Sequence, residues 1–170
     1  KGYDYSKPGS YFITICTNKR IRYFGDLINK KMKLSDIVEF AYEKWCEIPV
    51  HFPFVELDEF TIMPDHVHGI IVILNWDIKM GNDINRDDAC IVPVNMSTIS
   101  PKYGSLGSII RSYKSAVTHD AHKINPEFKW QPRYYDHIIC SQMDLLRIRT
   151  YISKNQENWK IGRASCRERV

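Results

Sequence analysis

Two histidines stand one residue apart at the start of an apolar run in the middle of the chain. Residues 61–74 read TIMPDHVHGIIVIL, so His66 and His68 open a stretch that is typical of a buried strand. Side chains two apart on a strand share a face, with Cα atoms about 6.6 Å apart. Two imidazoles at this spacing can converge on one divalent ion at about 2.1 Å from each nitrogen. The spacing therefore predicts a strand-borne metal site, with two hydrogen-bonded core or surface histidines as the competing interpretation.

The histidine pair is a weak signal on its own. The chain has six histidines among 170 residues, which gives roughly 0.2 such pairs by chance. A third ligand has to come from elsewhere, and the C-terminal region offers a candidate. Tyr151 and Asn155 are four residues apart and would share one helix face, with Arg147 one turn earlier. A solvated polar face with a tyrosine at its margin is the plainer alternative.

The amino-acid composition limits the classes of protein to which the chain can belong. Hydrophobic residues make up 44% and charged residues 26% of the chain, as in soluble globular proteins. No apolar run approaches the roughly 20 residues of a membrane helix. The five cysteines are scattered without a Cys-x-x-Cys pair, which argues against a disulfide framework and a cysteine zinc site and favours a cytoplasmic location. A net charge of +4 says little about nucleic acid by itself.

We expect one domain, residues 1–160. The last ten residues, IGRASCRERV (161–170), resemble a translated sequencing adapter and are predicted to be an artefactual tail. Because the chain begins at Lys1 rather than at a methionine, we expect it to be truncated at both ends.

The periodicities predict alternating strands and helices. Residues 21–28 are expected to return beside the first strand or to form an edge, and residues 75–105 to form a long, mobile loop. Ser105 and Ser141 are candidate helix caps, the latter with Asp144 in a Ser-x-x-Asp box. The main elements are strand 11–17, helix 34–48, strands 55–63 and 66–74 joined at Pro64-Asp65, helix 106–123, a strand after Pro132, and a helix from Ser141 toward Trp159. This order predicts an α+β fold, a ferredoxin-like antiparallel sheet with packed helices.

Five stretches in this order resemble the REP-associated branch of the single-tyrosine transposases, within the His-hydrophobic-His (HUH) endonuclease superfamily. They are KGYDYSKPGSYFITICT, MPDHVHGIIVI, SLGSIIRSYKSAV, WQPRYYDHII and YISKNQENW, which together span nearly all of residues 1–160. The resemblance implies the fold inferred above and an enzyme that cleaves and rejoins single-stranded DNA at hairpin-associated sites. The chain departs from the family pattern at Asp65, Cys140 and Gln156, none of which is an expected ligand or nucleophile.

The resemblance also implies roles for individual residues. His66 and His68 correspond to the metal-binding pair, Asn155 to a third ligand, and Tyr151 to the nucleophile. The implied cofactor is Mg²⁺ or Mn²⁺, since both ions accept hard ligands and leave positions open for phosphate oxygens. Attack by the phenolate would give a 5′-phosphotyrosine intermediate and a free 3′-OH.

Further residues are candidates for contact with DNA, either with phosphates or by stacking on unpaired bases. Aromatic residues are more often part of a core, and basic residues on helices more often solvated. The candidates are Arg111, Lys114, Arg133, Arg147, Trp130, Tyr134 and Tyr135. The expected partner is single-stranded DNA with hairpins, bound by a monomer or a homodimer. Two alternatives remain open: a domesticated copy that binds hairpins without cutting, and a metal-dependent hydrolase unrelated to DNA.

Overall fold

The chain forms a four-stranded antiparallel sheet with helices on both faces, and a separate two-stranded hairpin. The structure, a computed structural model, describes residues 4–28, 31–75 and 104–155, with the backbone alone for residues 27, 28, 31 and 32. The elements in chain order are β1 (Gly9–Cys16), β2 (Gly25–Ile28), β3 (Lys31–Leu34), α1 (Ile37–Cys46), α2 (Ile48–His51), β4 (Val55–Met63), β5 (His66–Ile73), α3 (Leu106–Ala121), β6 (Tyr135–Ile139) and α4 (Gln142–Ser153).

The strand order of the main sheet is β4-β5-β1-β6, and every neighbouring pair is antiparallel. If the β2–β3 hairpin is left out, the chain runs strand, helix, strand, strand, helix, strand. This is the ferredoxin-like arrangement, so the predicted fold class is confirmed. The predicted turn at Pro64-Asp65 joins β4 to β5, and β5 lies inside the sheet as expected.

Alternation along the strands gives the sheet two different faces. On β1, Tyr11, Ile13 and Ile15 pack with buried residues of α1 and α3, whereas Phe12 packs with Ile148 of α4. We call these the α1–α3 face and the α4 face. Because helices cover both faces, β5 is buried along almost its whole length. That double burial explains the continuous apolar run in the sequence.

One glycine permits close packing on the α1–α3 face. Gly69 of β5 lies beneath Trp45 of α1, and a Cβ atom added at Gly69 would overlap the indole. Trp45 stacks on Phe60 of β4 with ring centroids 5.5 Å apart, and it meets Tyr113 of α3 edge-on at 5.3 Å. Trp45 therefore connects both helices on this face to the sheet.

Two predicted elements differ from the structure. Residues 21–28 were expected beside the first strand or at an edge, but within the described part of the chain Gly25–Ile28 pairs with Lys31–Leu34, in a sheet separate from the first strand. The first long helix was expected from residue 34, but α1 begins at Ile37 and Leu34 ends β3 with its side chain exposed. Leu34 fits the helical period by sequence, but its pairing with Gly25 takes it out of the helix.

The two later helices agree with the sequence where the structure describes them. Ser105 caps α3 by accepting a hydrogen bond from the Ser108 N–H, and Ser141 caps α4 by accepting one from the Asp144 N–H. The Asp144 carboxylate does not complete the expected box. It accepts hydrogen bonds from His137 and Arg147 instead, at 2.8 Å each, and these bonds lower the pKa of Asp144.

Some expectations lie outside the described residues. They are the mobile loop over most of 75–105, the continuation of the last helix toward Trp159, and the artefactual tail 161–170. Within the described part of the chain, no helix is both long and apolar enough to span a membrane.

Candidate active site

His66 and His68 lie side by side on the α4 face of the central strand β5. Both imidazoles are buried, with exposed fractions of 1% and 0%. Their Nε2 atoms are 2.9 Å apart and their ring centroids 4.4 Å apart. The two rings therefore converge on one point, as the two-residue spacing predicts for a shared strand face.

The other nitrogen of each ring is held by a polar side chain. The Asp65 carboxylate accepts a hydrogen bond from His66 Nδ1 at 2.6 Å. Thr14 Oγ1 lies 2.8 Å from His68 Nδ1 because the register of β1 and β5 places Thr14 opposite His68. These two contacts fix the orientation of both rings and direct both Nε2 atoms toward each other.

The turn that carries Asp65 is itself anchored. The Thr17 hydroxyl donates to the Asp65 carbonyl at 3.0 Å, and the Thr17 N–H donates to the same oxygen at 2.9 Å. The Arg20 guanidinium lies 3.7 Å from the Asp65 carboxylate. Residues that follow β1 therefore hold the turn that leads into β5.

Tyr151 reaches the histidine pair from α4. Its hydroxyl lies 3.5 Å from His68 Nε2, at the outer limit for a hydrogen bond. Phe12 stacks on the His68 ring at 5.4 Å and meets the Tyr151 ring edge-on at 6.1 Å. Phe12, which contacts both the His68 ring and the Tyr151 ring, thus holds the phenol beside the histidines.

Helix α4 is held over the sheet by apolar packing and by one ion pair. Ile148 and Ile152 pack on Phe12 and Ile70. Arg149 donates two hydrogen bonds to Asp58 of β4 from Nε, at 3.0 and 3.1 Å, and a third from Nη2 at 2.7 Å. These contacts determine where Tyr151 lies relative to β5.

Asn155 follows Tyr151 by one helical turn and is 6% exposed. Its Nδ2 atom is buried and has no hydrogen-bond partner among the described residues. A buried amide group is normally hydrogen-bonded, and the oxygen and nitrogen of an amide are assigned from their partners. A cation would be bound by the amide oxygen, so the unpartnered nitrogen does not by itself mark Asn155 as a ligand.

The electrostatics keep the second histidine neutral. Burial lowers the pKa of His68 well below its usual range, and the neighbouring His66 and Arg20 add to the effect. Neutral imidazole is the form that binds metal ions, because coordination needs a nitrogen lone pair.

The residues present fit a divalent ion of the kind that the resemblance implies. Two ligands at right angles, each about 2.1 Å from a six-coordinate ion, are about 3.0 Å apart, close to the 2.9 Å between the two Nε2 atoms. The described residues contain no cluster of three or more His, Cys, Asp or Glu side chains that could hold a metal. Asn155 as the third ligand is what the resemblance implies, and it stays a prediction.

The predicted DNA-contacting residues divide between the two faces. Trp130 and Tyr134 pack against the core of the α1–α3 face, away from the histidines, and burial raises the pKa of Tyr134 to about 12. Tyr135 packs on the α4 face with Tyr151. Trp130 is also tied down by a hydrogen bond from its Nε1 to the Lys114 carbonyl at 3.1 Å.

The basic residues that were predicted to contact DNA also lie in different parts of the fold. Lys114 is half-buried and donates to the Gln131 carbonyl at 2.6 Å, and burial lowers its pKa. Arg147 is exposed on α4 and donates to Asp144. Arg111 on α3 and Arg133 before β6 are exposed. The structure thus brings Arg147 and Tyr135 onto the side of Tyr151, and places Lys114 and Trp130 elsewhere.

Sequence reasoning missed three residues of the site: Phe12, Thr14 and Asp65. The alternation in YFITICT puts Phe12 and Thr14 on one face of the strand, which was the available signal. Their contact with His68 depends on the register between β1 and β5, a pairing between residues 54 apart in sequence. Asp65 was noted as part of the predicted turn and as a departure from the family pattern, but not as a partner of His66.

Comparisons with known proteins place the chain among its relatives. No protein-family model matches it. It is 39% identical over 165 residues to an uncharacterised protein of Haemophilus influenzae Rd, covering 94% of this chain and 87% of the relative. It is 28% identical over 153 residues to a second H. influenzae Rd protein, provisionally named a REP-associated tyrosine transposase, covering 89% of this chain and 72% of the relative.

A solved structure shares the fold. It is described as a REP-associated tyrosine transposase bound to a REP hairpin, and it superposes with a TM-score of 0.60 at 18% identity over 94% of this chain and 73% of that one. The similarity in sequence and the common fold agree with the motif order read from the sequence. The chain is thus similar in sequence to a protein provisionally named a REP-associated tyrosine transposase and shares its fold with a solved structure of that description.

Proposed function

We propose that this protein cleaves and rejoins single-stranded DNA beside hairpins, through a covalent link to Tyr151. The observation that carries the proposal is the position of the Tyr151 hydroxyl, 3.5 Å from His68 Nε2 and beside the convergent histidine pair. The choice of substrate is supported by the structural neighbour, which is described as bound to a REP hairpin. A phenol placed next to a site for a divalent ion is suited to attack on a phosphodiester.

In the proposed reaction the Tyr151 oxygen attacks the scissile phosphorus and displaces the 3′ oxygen. A bond forms between the tyrosine oxygen and phosphorus, the bond from phosphorus to the 3′ oxygen breaks, and a free 3′-OH results. The phosphotyrosine link conserves the phosphodiester energy, so a 3′-OH can later attack it and restore a DNA strand. A hydrolase that used water would lose that bond.

His66, His68 and Asn155 are the residues that would hold Mg²⁺ or Mn²⁺. Such an ion supplies Lewis-acid stabilisation of the negative charge that develops on the phosphate. The protein contributes the orientation of the ligands: Asp65 and Thr14 direct the two rings, and burial keeps His68 neutral.

The test is formation of a covalent adduct with a labelled hairpin oligonucleotide that carries a single-stranded flank. Wild-type protein with Mg²⁺ should give a band that survives SDS electrophoresis. Tyr151→Phe should bind the oligonucleotide and give no adduct, since the substitution removes one oxygen and leaves the ring packed on Phe12. Tyr135→Phe is the matched control, because Tyr135 lies on the same face, and it should retain the adduct.

Each contrary result has a distinct meaning. An adduct with Tyr151→Phe that is lost with Tyr135→Phe would transfer the nucleophile to Tyr135. Wild-type protein that binds the hairpin without forming an adduct would support the non-cutting alternative. Wild-type protein that hydrolyses the oligonucleotide without any covalent intermediate would support a metal-dependent hydrolase.

A further inference from the structure

The turn that follows β1 holds two consecutive residues in a left-handed backbone conformation. Lys19 and Arg20 have φ angles of 52° and 57°, and no other non-glycine residue in the described part of the chain has a positive φ. This conformation is unfavourable for residues that carry a Cβ atom. Residues of this kind persist where the surrounding structure holds them, and they cluster at active sites and ligand clamps.

Hydrogen bonds on both sides of Arg20 hold the turn in this conformation. The Thr17 hydroxyl donates to the Ile21 carbonyl at 2.7 Å, and the Arg20 N–H donates to the Thr17 carbonyl at 3.2 Å. The Ile21 N–H donates to the Asn18 carbonyl at 3.1 Å, and the Asn18 N–H donates to the Lys129 carbonyl at 2.8 Å. The backbone that carries the Arg20 side chain is therefore fixed from within the turn and from the segment before β6.

The Arg20 side chain extends from this turn to the edge of the candidate active site. Its Nη1 atom lies 3.7 Å from Asp65 Oδ1, the same oxygen that accepts the hydrogen bond from His66 Nδ1 at 2.6 Å. The Arg20 side chain is 40% exposed, whereas that of Asp65 is 10% exposed. The guanidinium thus lies between a largely buried carboxylate and the solvent, next to the first histidine.

Arg20 differs from Arg147 and Arg149 of α4 in its contact with a carboxylate. Arg147 and Arg149 each donate hydrogen bonds to an aspartate, at distances of 2.7 to 3.1 Å. The 3.7 Å contact of Arg20 with Asp65 is longer than a hydrogen bond. A planar guanidinium can donate two parallel hydrogen bonds to the oxygens of one phosphate. Of these three arginines, Arg20 therefore has the weakest carboxylate contact to set against a phosphate.

We propose that Arg20 binds a backbone phosphate of the single-stranded DNA, one that neighbours the scissile phosphate. The proposal rests on the proposed function, because it requires a DNA strand to lie over His66 and His68. Arg20 approaches from the Nδ1 side of His66, whereas the two histidines converge through their Nε2 atoms. The phosphate within its reach is therefore a neighbour of the one that is cut, and the contact would fix the register of the strand.

The first test neutralises the phosphates of the DNA one at a time. The probe is a hairpin oligonucleotide with a single-stranded flank, in which a methylphosphonate replaces one phosphate of the flank. Dissociation constants are measured with Mg²⁺ by fluorescence anisotropy, on Tyr151→Phe protein so that the strand stays uncut. One methylphosphonate position should weaken binding about tenfold, as for the loss of one charge-assisted hydrogen bond. After Arg20→Ala is added, that position should cause no further weakening.

The second test measures how the affinity for the unmodified oligonucleotide depends on salt. Arg20→Ala should lower the slope of the logarithm of affinity against the logarithm of salt concentration by about 0.7, the value for one contact with a single-stranded phosphate. Arg20→Lys keeps the charge and should keep the slope, with a lower affinity because an ammonium lacks the planar fork. Arg22→Ala is the matched control, because it removes a positive charge from the same segment, but one that is paired with Asp26 at 3.1 Å. It should change neither the slope nor the affinity.

Arg20→Gly separates the side chain from the conformation of the turn. Glycine adopts a positive φ without strain, so this variant removes the guanidinium and keeps the backbone at 57°. It should unfold at no lower urea concentration than Arg20→Ala, and it should show the same insensitivity to the one methylphosphonate. A result obtained with both variants cannot come from loss of the turn.

The outcomes separate this inference from the proposed function. Wild-type protein that forms the adduct, with Arg20→Ala and Arg20→Gly as sensitive to every methylphosphonate as the parent protein, would overturn the role of Arg20 alone. Weaker binding by the same factor at every position, with an unchanged salt slope, would also overturn it, because Arg20 would then only support the turn at Asp65. Loss of one phosphate contact in a protein that forms no adduct would support Arg20 and contradict cutting. Wild-type protein that does not bind the oligonucleotide would overturn both proposals.

Discussion

The proposed role of Asn155 as a metal ligand predicts that this residue trades stability for binding. Its buried Nδ2 has no partner among the described residues, and leaving a buried polar group unsatisfied costs about 1–3 kcal/mol. In EDTA, Asn155→Ala should therefore unfold at equal or higher urea concentration than wild type. Stabilisation by Mn²⁺ should be smaller in the variant, because one ligand is lost.

Asn125 provides the comparison for that experiment. Its side chain is satisfied, since Oδ1 accepts from the Glu127 N–H at 3.0 Å, so Asn125→Ala should lose stability both with and without Mn²⁺. If Asn155→Ala loses as much stability in EDTA as Asn125→Ala, Asn155 is a structural residue rather than a ligand.

Gly69 is a second residue whose effect can be measured. Gly69→Ala places a methyl group against the Trp45 indole, and overpacking of this kind costs about 1–3 kcal/mol. Gly9→Ala is the control, since its Cβ would meet the Tyr11 hydroxyl at 3.4 Å and the Tyr11 ring at 3.5 Å, both ordinary contacts, and the change should stay within about 0.5 kcal/mol. Urea titrations at constant m-value would measure both. Equal effects would mean that Trp45 does not pack closely against β5.

At the scale of elements, the position of α4 depends on the Asp58–Arg149 ion pair. Asp58 lies where the β4–β5 register shifts between Leu57 and Phe60, and the shift directs its carboxylate to α4. Asp58→Asn should reduce stability by less than about 1 kcal/mol, because the pair is partly exposed. Adduct formation should nevertheless be several-fold slower, since α4 carries Tyr151.

The exposed Arg22–Asp26 pair, at 3.1 Å, serves as the control for Asp58→Asn. Asp26→Asn removes an ion pair that makes no contact with α4 and should leave the rate of adduct formation unchanged. Equal rates in the two variants would show that the Asp58–Arg149 pair does not position the nucleophile.

The elements that the sequence predicted well are those with a local signal. The caps at Ser105 and Ser141, the apolar period of α3 and the turn before β5 depend on residues close together in the chain. The β2–β3 hairpin and the roles of Thr14 and Asp58 depend on which distant strand or helix lies alongside, which local periodicity does not encode. The histidine spacing indicated a shared face, but only the fold shows which helix covers it.

At the scale of the whole molecule, the two faces of the sheet differ in the size of their cores. Among the described residues, the buried cluster under α4 consists of Phe12, Ile70, Ile148 and Ile152, whereas the α1–α3 face has more than twenty buried apolar residues. Elements with few buried contacts open at lower free energy than the rest of a protein. We therefore expect the amide protons of α4 to exchange through openings that cost less free energy than the openings of α3.

Native-state hydrogen exchange as a function of denaturant would measure both openings. Separate isotherms for α4 and α3, with α4 lower, would show that α4, which carries Tyr151, detaches while the sheet stays folded. A single common isotherm would mean that the two faces unfold as one unit.

The separation of Tyr151 from His68 by 83 residues also has a consequence for synthesis of the protein. A ribosome completes β1, β4 and β5, with both histidines, well before it reaches the tyrosine. On the proposed mechanism, a nascent or prematurely terminated chain would carry metal ligands but no nucleophile. On that mechanism such a product could not nick the DNA of the cell in which it is made, and the capacity to cut DNA would arise only once translation has passed Tyr151.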